Sequence, residues 1–343
     1  MPRATEITVV DSDADLLKQL ADRFGPQAVF SASQFNAFGL CPWQFFASYV
    51  LGLQPLEPPT DRLTPLDRGL FCHRVLFRLF NRLAKESGEG FRLAGVDRNQ
   101  LVELLDEAVA KESAAVESRD PAYPALWQVQ RQQMHDDLSA YLRAQLDSAA
   151  KLDARCLHFE LGFGLGGPPT AGMDTASQAE PITIETPAGP IRLRGKIDRL
   201  DHVRLADLDG LLVIDYKTGR LPGKKDIDDG RALQLALYTA ATGKLFRQPS
   251  LGGAFHQVGG EIKQTYLAAI KRWKEEFRPD EGFQKRQQAA IDLIGQFVQA
   301  IRGGRFDSLP THKCPAYCPF RRICHYAKHR AALKADSSKE GTP

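Results

Sequence analysis

The 343-residue sequence contains no apolar run of about 18 residues, the length that a membrane-spanning helix requires. Its opening residues, MPRATEITVVDSDADLL, lack the long apolar segment of a secretory leader, so a cytoplasmic chain is expected. Neither sign of charge dominates. The 45 Lys and Arg stand against 42 Asp and Glu, a formal net charge of +3, so any polyanionic partner must be met by local clusters. No internal repeat is visible, and there is no P-loop. The nearest decoy, GPIRLRGK at 189–196, has one residue too many, lies in a strand pattern and lacks the following Ser or Thr. No nucleotide-driven motor is therefore expected. Cysteine is scarce, at six residues, and in a reducing compartment these read as ligands or buried thiols rather than disulfides. The length allows a full core, in one large domain or two small ones.

Taken in order, the chain opens with a short strand pattern at Ile7–Val10 and a helical one, DADLLKQLADRF, to which no role is assigned. Ser31 or Ser33 caps a helix whose apolar residues Phe35, Phe38 and Leu40 continue past Cys41, with Pro42 marking a break or a new first turn. Residues 54–65 are proline-rich loop, ending in the cap and first-turn signal Thr64-Pro65. The next helix runs to about Lys85, with Leu66, Leu70, Val75, Leu76, Leu79 and Leu83 as its apolar stripe and His73 one turn beyond Gly69. Two further helical patterns cover about 97–118 and 125–150.

Strand patterns then begin. In CLHFELGFGL, residues 156–165, alternation places Leu157, Phe159, Leu161 and Phe163 on one face and His158 and Glu160 on the other. Residues 166–181 form a flexible Gly- and Pro-rich loop, and Ile182–Thr186 a strand. Residues 219–230 are a polar, mobile loop, followed by a helix from about Arg231 to Lys244, a strand near Ala254–Gln257 and a long helix over 284–302.

The central feature is a pair of strands. Ile191, Leu193 and Ile197 alternate with charged residues up to Asp198, while Leu211–Ile214 is a continuous apolar run, as in a strand buried on both faces. That run ends in Asp215-Tyr216-Lys217, where residues two apart share a face. If the strands pair, Asp198 joins Asp215 and Lys217 at one end of an apolar sheet. Two carboxylates and an amine so placed suit metal-activated hydrolysis.

The ordered set His73, Glu160, the block GKIDRLD at 195–201, the block IDYKTG at 214–219, then Gln234 and Tyr238, resembles the PD-(D/E)XK nuclease superfamily, and within it the RecB/AddB-type exonuclease domain. The resemblance implies an α/β fold: a mixed central sheet flanked by helices, a restriction-endonuclease-like core with a helical insertion. It also implies a metal-dependent DNA exonuclease of recombination or repair, acting on single strands or ends, either with a helicase as a separate partner or as a stand-alone nuclease. Asp198, Asp215 and His73 would hold Mg2+ or Mn2+, hard ions that favour oxygen ligands. Lys217 would orient or deprotonate the attacking water, or stabilise the phosphate. Gln234 and Tyr238 would order the site or touch DNA, and Glu160 would assist from behind the ligands or through a water. A CRISPR-adaptation nuclease and a non-catalytic DNA-end-binding module are the rival readings.

Cys314, Cys318 and Cys324 crowd the C-terminal end, and Cys41 stands near the N-terminal end. One early and three late cysteines resemble the [4Fe–4S] ligands of AddB-type nucleases, although the first late spacing is wider than that pattern. Four thiolates would also suit Zn2+. Cys72 and Cys156 lie in apolar patterns and read as buried thiols. Arg192, Arg194, Lys196, Lys217, Arg220, Lys224, Lys225, Arg321 and Arg322 would meet phosphates, and Tyr216, Tyr317 and Phe320 could stack bases or serve as packing. The expected organisation is an extension of unassigned role over 1–30, the nuclease domain over 31–328 with its helical insertion at about 66–150 and cysteine ligands at both ends, and a disordered tail over 329–343.

Overall fold

Local capping sets the first elements. In the computed structural model, which describes residues 14–55, 63–88, 90–118, 124–149, 151–274, 276–307, 318–320 and 323–324, helix α1 spans Ala14–Arg23 and strand β1 Val29–Ser31. Ser31 then closes a capping box with Gln34 and starts α2, Ala32–Leu40. Pro42 opens the short α3, Pro42–Phe45, which passes into a π-helical turn over Phe46–Val50. Thr64 caps α4, Pro65–Ser87, through Asp67. Helices α5, Arg98–Glu117, and α6, Pro124–Ala149, complete the helical layer. The strand pattern expected at Ile7–Val10 lies outside the described residues, as do Cys314, Tyr317, Arg321, Arg322 and the tail from 329 onward.

A mixed sheet follows, built on β2, Asp153–Phe163; β3, Ile182–Ile184; β4, Ile191–Leu205; and β5, Leu208–Lys217. After the short α7, Lys224–Asp228, and α8, Gln234–Phe246, come β6, Ser250–Gln257, and β7, Gln264–Ala268. A separate hairpin, β8 Ile270–Trp273 and β9 Glu276–Pro279, leads to α9, Phe283–Arg302. The order is β1-β4-β5-β6-β7, with β2 and β3 also pairing to β4. Strand β4 is the spine: β1 stops at Arg194 and β5 begins at Arg199, so Gly195–Ile197 pair only with β2. Helices cover both faces, giving an α/β architecture of restriction-endonuclease type.

The apolar run in β5 is buried on both sides, as its composition predicts. Leu211 and Val213 join a core with Phe35, Leu237 and Ile294, whereas Ile214 joins one with Val75, Leu79 and Leu138. The strict alternation expected in β2 is not observed. The register shifts between Cys156 and His158, and Glu160 has φ 53°, so Phe159 packs in the core beneath α4 while Leu161 and Phe163 pack in the other. Leu66 and Leu70 do not belong to the buried stripe of α4. They are exposed, because the first turns of this helix lie by the strand end, where a Cβ at Gly69 would stand 3.3 Å from the Thr218 hydroxyl. The 166–181 segment runs along β2 through Asp174 N to Glu160 O and Gln178 N to Gly162 O. The polar loop at 219–230 includes α7, with Asp226 buried under Arg220 and Arg231.

Close packing makes two measurable demands. A Cβ on Gly39 of α2 would fall 1.8 Å from the Gly230 carbonyl oxygen, a backbone atom that cannot rotate away. Gly39→Ala is expected to lower stability by about 1–3 kcal/mol, read as a lower urea midpoint at unchanged slope. His256 is buried in β6, and burial together with Arg199 holds its pKa down at about 3, against 6.5 when unfolded. Between those values the unfolded chain binds a proton that the folded chain refuses. Stability should therefore fall as the pH drops below about 6.5, by up to about 1.4 kcal/mol per pH unit from this residue. Urea titrations at pH 7 and pH 5 should show a shallower loss for His256→Asn.

Candidate active site

The site begins where two strands part. The β4–β5 ladder ends at Arg199 opposite Ile214, while β5 continues to Lys217 paired only with β6. Beyond that point the backbone amide of Tyr216 would lack a partner, and the Asp198 carboxylate supplies one at 2.8 Å. The Tyr216 carbonyl is met by His73 Nε2 at 3.2 Å. As an imidazole N–H facing a carbonyl donates, Nδ1 is left turned toward acids. Nδ1 lies 3.3 Å from Asp198 Oδ1 and 3.6 Å from Glu160 Oε1.

His73 reaches this point because Gly69, one turn earlier, lets α4 approach Thr218. Glu160 arrives through the register of β2: Phe159 pairs with Arg199 and Leu161 with Ile197, which sets Glu160 opposite Asp198. Lys196 lies against the second Glu160 oxygen. Asp215 and Lys217 share a face of β5, and the Lys217 ammonium contacts Asp215 Oδ2. Lys217 Nζ also donates to Gln234 Oε1 at 3.0 Å, and it stands 5.2 Å from the centre of the Phe255 ring. Tyr238, one turn further along α8, bonds to the backbone of Lys196. Gly195 is required for that approach, as a Cβ there would stand 2.6 Å from Tyr238 Cε1 and 2.9 Å from Phe163 Cζ.

The electrostatics are those of a site short of positive charge. Burial opposes the His73 imidazolium, but Asp198 and Glu160 overcome it and raise its pKa to about 10. Burial pushes Asp215 up to about 6; Lys217 resists the rise and Asp198 adds to it. Burial acts on Asp198 too, yet His73, Lys217 and the Tyr216 amide hold its carboxyl below the ordinary range. Three buried acids around one imidazole thus depend on nearby cations.

The donor set fits a divalent cation. Ligand atoms of His73, Glu160 and Asp198 lie within 4.8 Å of one another, two hard carboxylates and one imidazole. Buried Asp215 Oδ2 touches Lys217 but has no partner in hydrogen-bond geometry among the described residues, so it retains a free acceptor direction. The structure therefore brings His73, Asp198, Asp215, Lys217, Gln234 and Tyr238 to one end of the sheet. Glu160, expected from the resemblance to assist from behind the ligands or through a water, stands in the donor cluster itself. Its signal was the even count that sets it opposite Asp198 once β2 and β4 pair.

The other candidate residues are placed less uniformly. Cys72 and Cys156 are buried in the core, while Cys41, Cys318 and Cys324 are half-buried. Cys41 sits in extended backbone between α2 and α3. Two residues later the Trp43 ring meets the buried Phe320, 6.2 Å between centres, so the two cysteine-bearing segments are in contact. Phe320 is packing, and Tyr216 is core rather than a stacking platform, at 3% exposure. Among the described residues no helix is long and apolar enough to cross a membrane.

Comparison with known proteins follows the same line. The family profile of the PD-(D/E)XK nuclease superfamily matches residues 29–325. The chain is similar to bacterial proteins named as subunits of an ATP-dependent helicase/deoxyribonuclease. That of Moorella thermoacetica is 29% identical over 238 residues, covering 68% of this chain and 19% of the relative. That of Acetivibrio thermocellus is 28% identical over 230 residues, 65% of this chain and 18% of the relative. That of Symbiobacterium thermophilum is 30% identical over 225 residues, 64% of this chain and 18% of the relative. The chain spans about a fifth of the length of these relatives over the matched region. With the profile running from the first strand of the sheet to the last cysteines, this chain belongs to the PD-(D/E)XK nuclease superfamily.

Proposed function

We propose that this chain is a metal-dependent DNA exonuclease, acting on single strands or ends, in recombination or repair. The observation that carries this reading is the convergence of His73, Glu160 and Asp198 beside the Asp215–Lys217 pair. When bound there, Mg2+ or Mn2+ would neutralise charge at the scissile phosphate and make a water more acidic. Asp198, His73 and Asp215 would hold the ion, with Glu160 entering as a further ligand or as the anchor of Lys196. Lys217 would face the attacking water or the phosphate, held at the right height by Gln234. Tyr238 would hold the Gly195–Lys196 stretch of β4 in place beside the site.

Exposed Arg194, Lys196, Arg220, Lys224 and Lys225 around the strand ends supply contacts to phosphates rather than to bases, which gives affinity without sequence choice. The names of the relatives, subunits of an ATP-dependent helicase/deoxyribonuclease, support a DNA substrate and an association with helicase activity. We assign Cys41, Cys314, Cys318 and Cys324 to a [4Fe–4S] cluster, with Zn2+ as the competing occupant. The contact between Trp43 and Phe320 supports this, as it draws the two cysteine segments together. Such a clamp would tie positions 273 residues apart in sequence. By analogy with cross-link entropy it would contribute roughly 5 kcal/mol at most.

Two sets of measurements test the reading. End-labelled single- and double-stranded DNA should be digested only with Mg2+ or Mn2+, and EDTA should stop digestion. Lys217→Ala should slow it by on the order of 10²–10⁴-fold while the folded spectrum is unchanged; cleavage at wild-type rate would reject Lys217 as the catalytic amine. For the clamp, anaerobically purified Cys41→Ala and Cys318→Ala should lose brown colour, melt at lower temperature and bind DNA more weakly. Retained colour with unchanged melting would remove the cluster and leave the cleavage chemistry standing.

A further inference from the structure

Arg199 and Asp201 belong to the same sequence block as Asp198, yet nothing in the cleavage chemistry uses them. Both are buried, at 2% exposure each, on the face of the sheet away from Asp198. Arg199 grips Asp201 with two parallel bonds, Nε to Oδ1 at 2.7 Å and Nη2 to Oδ2 at 2.5 Å. Its guanidinium lies 5.1 Å from the centre of the Phe80 ring of α4. Beside it, the Tyr216 ring meets Tyr141 edge-on at 5.7 Å, and the Tyr141 hydroxyl bonds to His256 Nδ1 at 3.0 Å. The cluster thus links β4, β5, β6, α4 and α6. Within it the Tyr216 hydroxyl interacts with both the Arg199 guanidinium and the Tyr141 hydroxyl. A cavity of about 50 Å3 lined in part by Arg199, Asp201, His256 and Gln145 adjoins it. That exceeds the roughly 10–15 Å3 a water needs, so hydration is sterically open to it.

Stability does not account for such a cluster. A buried ion pair is worth no more to folding than well-packed apolar residues of the same volume. Geometry does. Past Arg199 and Ile214 the backbone ladder between β4 and β5 has ended, and Asp198 and Asp215 project from strands no longer bonded to each other by main chain. Side chains alternate along a strand, so fixing Arg199 and Tyr216 on one face fixes Asp198, Asp215 and Lys217 on the other.

We propose that the Arg199–Asp201 pair and the Tyr216–Tyr141–His256 group form a positioning device that sets the spacing of Asp198 from Asp215 and Lys217. The inference rests on the metal-dependent reading above. None of the five touches substrate or ion through its side chain; each acts through the acidic residues across the sheet. Partners of this kind typically alter metal affinity or activity by about 10–100-fold when removed.

The test uses the full chain, with Mn2+ binding followed by electron paramagnetic resonance and single-turnover cleavage of end-labelled DNA. The charge-free double variant Arg199→Met with Asp201→Leu should keep its circular dichroism and its melting point near wild type, bind Mn2+ about 10–100-fold more weakly and lose rate at saturating DNA with little change in DNA affinity. Arg199→Lys retains the charge but not the fork, and should weaken Mn2+ binding several-fold. Arg204→Ala, on the exposed end of the same hairpin, should change neither. A folded double variant or a folded Arg199→Lys with wild-type Mn2+ affinity and rate overturns the proposal. If the double variant does not fold, Arg199→Lys decides; if that also unfolds, the cluster is structural and the proposal fails. A wild-type chain that binds no Mn2+ removes both readings. One that binds Mn2+ but cuts no DNA removes the nuclease reading alone, and the Mn2+ affinities still decide this one.

Discussion

A single side-chain hydrogen bond sits at the junction on which the site depends. Where β5 leaves β4, the Tyr216 amide is satisfied by the Asp198 carboxylate instead of by a strand. A buried amide without a partner is costly, so the split in the sheet persists only because an acid fills the gap. The same acid faces His73 Nδ1. Opening the sheet and assembling the donor cluster are therefore one structural event, and the backbone requirement fixes the acid that the chemistry needs.

The surrounding elements keep that gap open and shaped. Gly69 allows α4 to bring an imidazole to the strand end, and Gly195 allows Tyr238 of α8 to reach the spine. Gln234 holds the Lys217 ammonium from the opposite side. The side chains come from α4, β2, β4, β5 and α8, so the site depends on how these elements pack together. The cores on the two faces are tightly filled, with Phe35, Phe45 and Phe80 fully buried. A site of buried acids can then exist without collapsing, although burial and then Asp198 raise the pKa of Asp215, and Asp198 and Glu160 raise that of His73 against its burial.

Helices α1 and α9 meet beside the first core rather than at the catalytic end. Arg23 of α1 donates to the Tyr49 and Val50 carbonyls, closing the π-helical turn that follows Cys41 and Pro42. Arg302 at the end of α9 donates to the Phe24 carbonyl. Helix α1, to which the sequence assigned no role, thus contacts the segment that follows the first cysteine. Trp43 and Phe320 continue the same contact toward the later cysteines.

Much of this was legible in the sequence because it is local. Thr64 with Pro65, the Ser31 cap, the apolar run Leu211–Ile214 and the Asp215-x-Lys217 spacing each follow from residue type at fixed short separation. The meeting of Asp198 with Asp215 needed only that adjacent strands pair. Periodicity failed where backbone departs from the regular strand: Glu160 takes a positive φ and β2 carries a bulge, so Phe159 and Leu161 face different cores. It failed again for Leu66 and Leu70, because whether a stripe is buried depends on what lies opposite it. The later strands β7, β8 and β9 carry no strong alternation and owe their state to pairing. The sequence by itself determined which residue types could hold an ion and activate a water. Only the tertiary structure decided that Glu160 joins them and that Arg199 and Asp201 stand behind them, because register and sheet face are properties of paired strands and not of either strand alone.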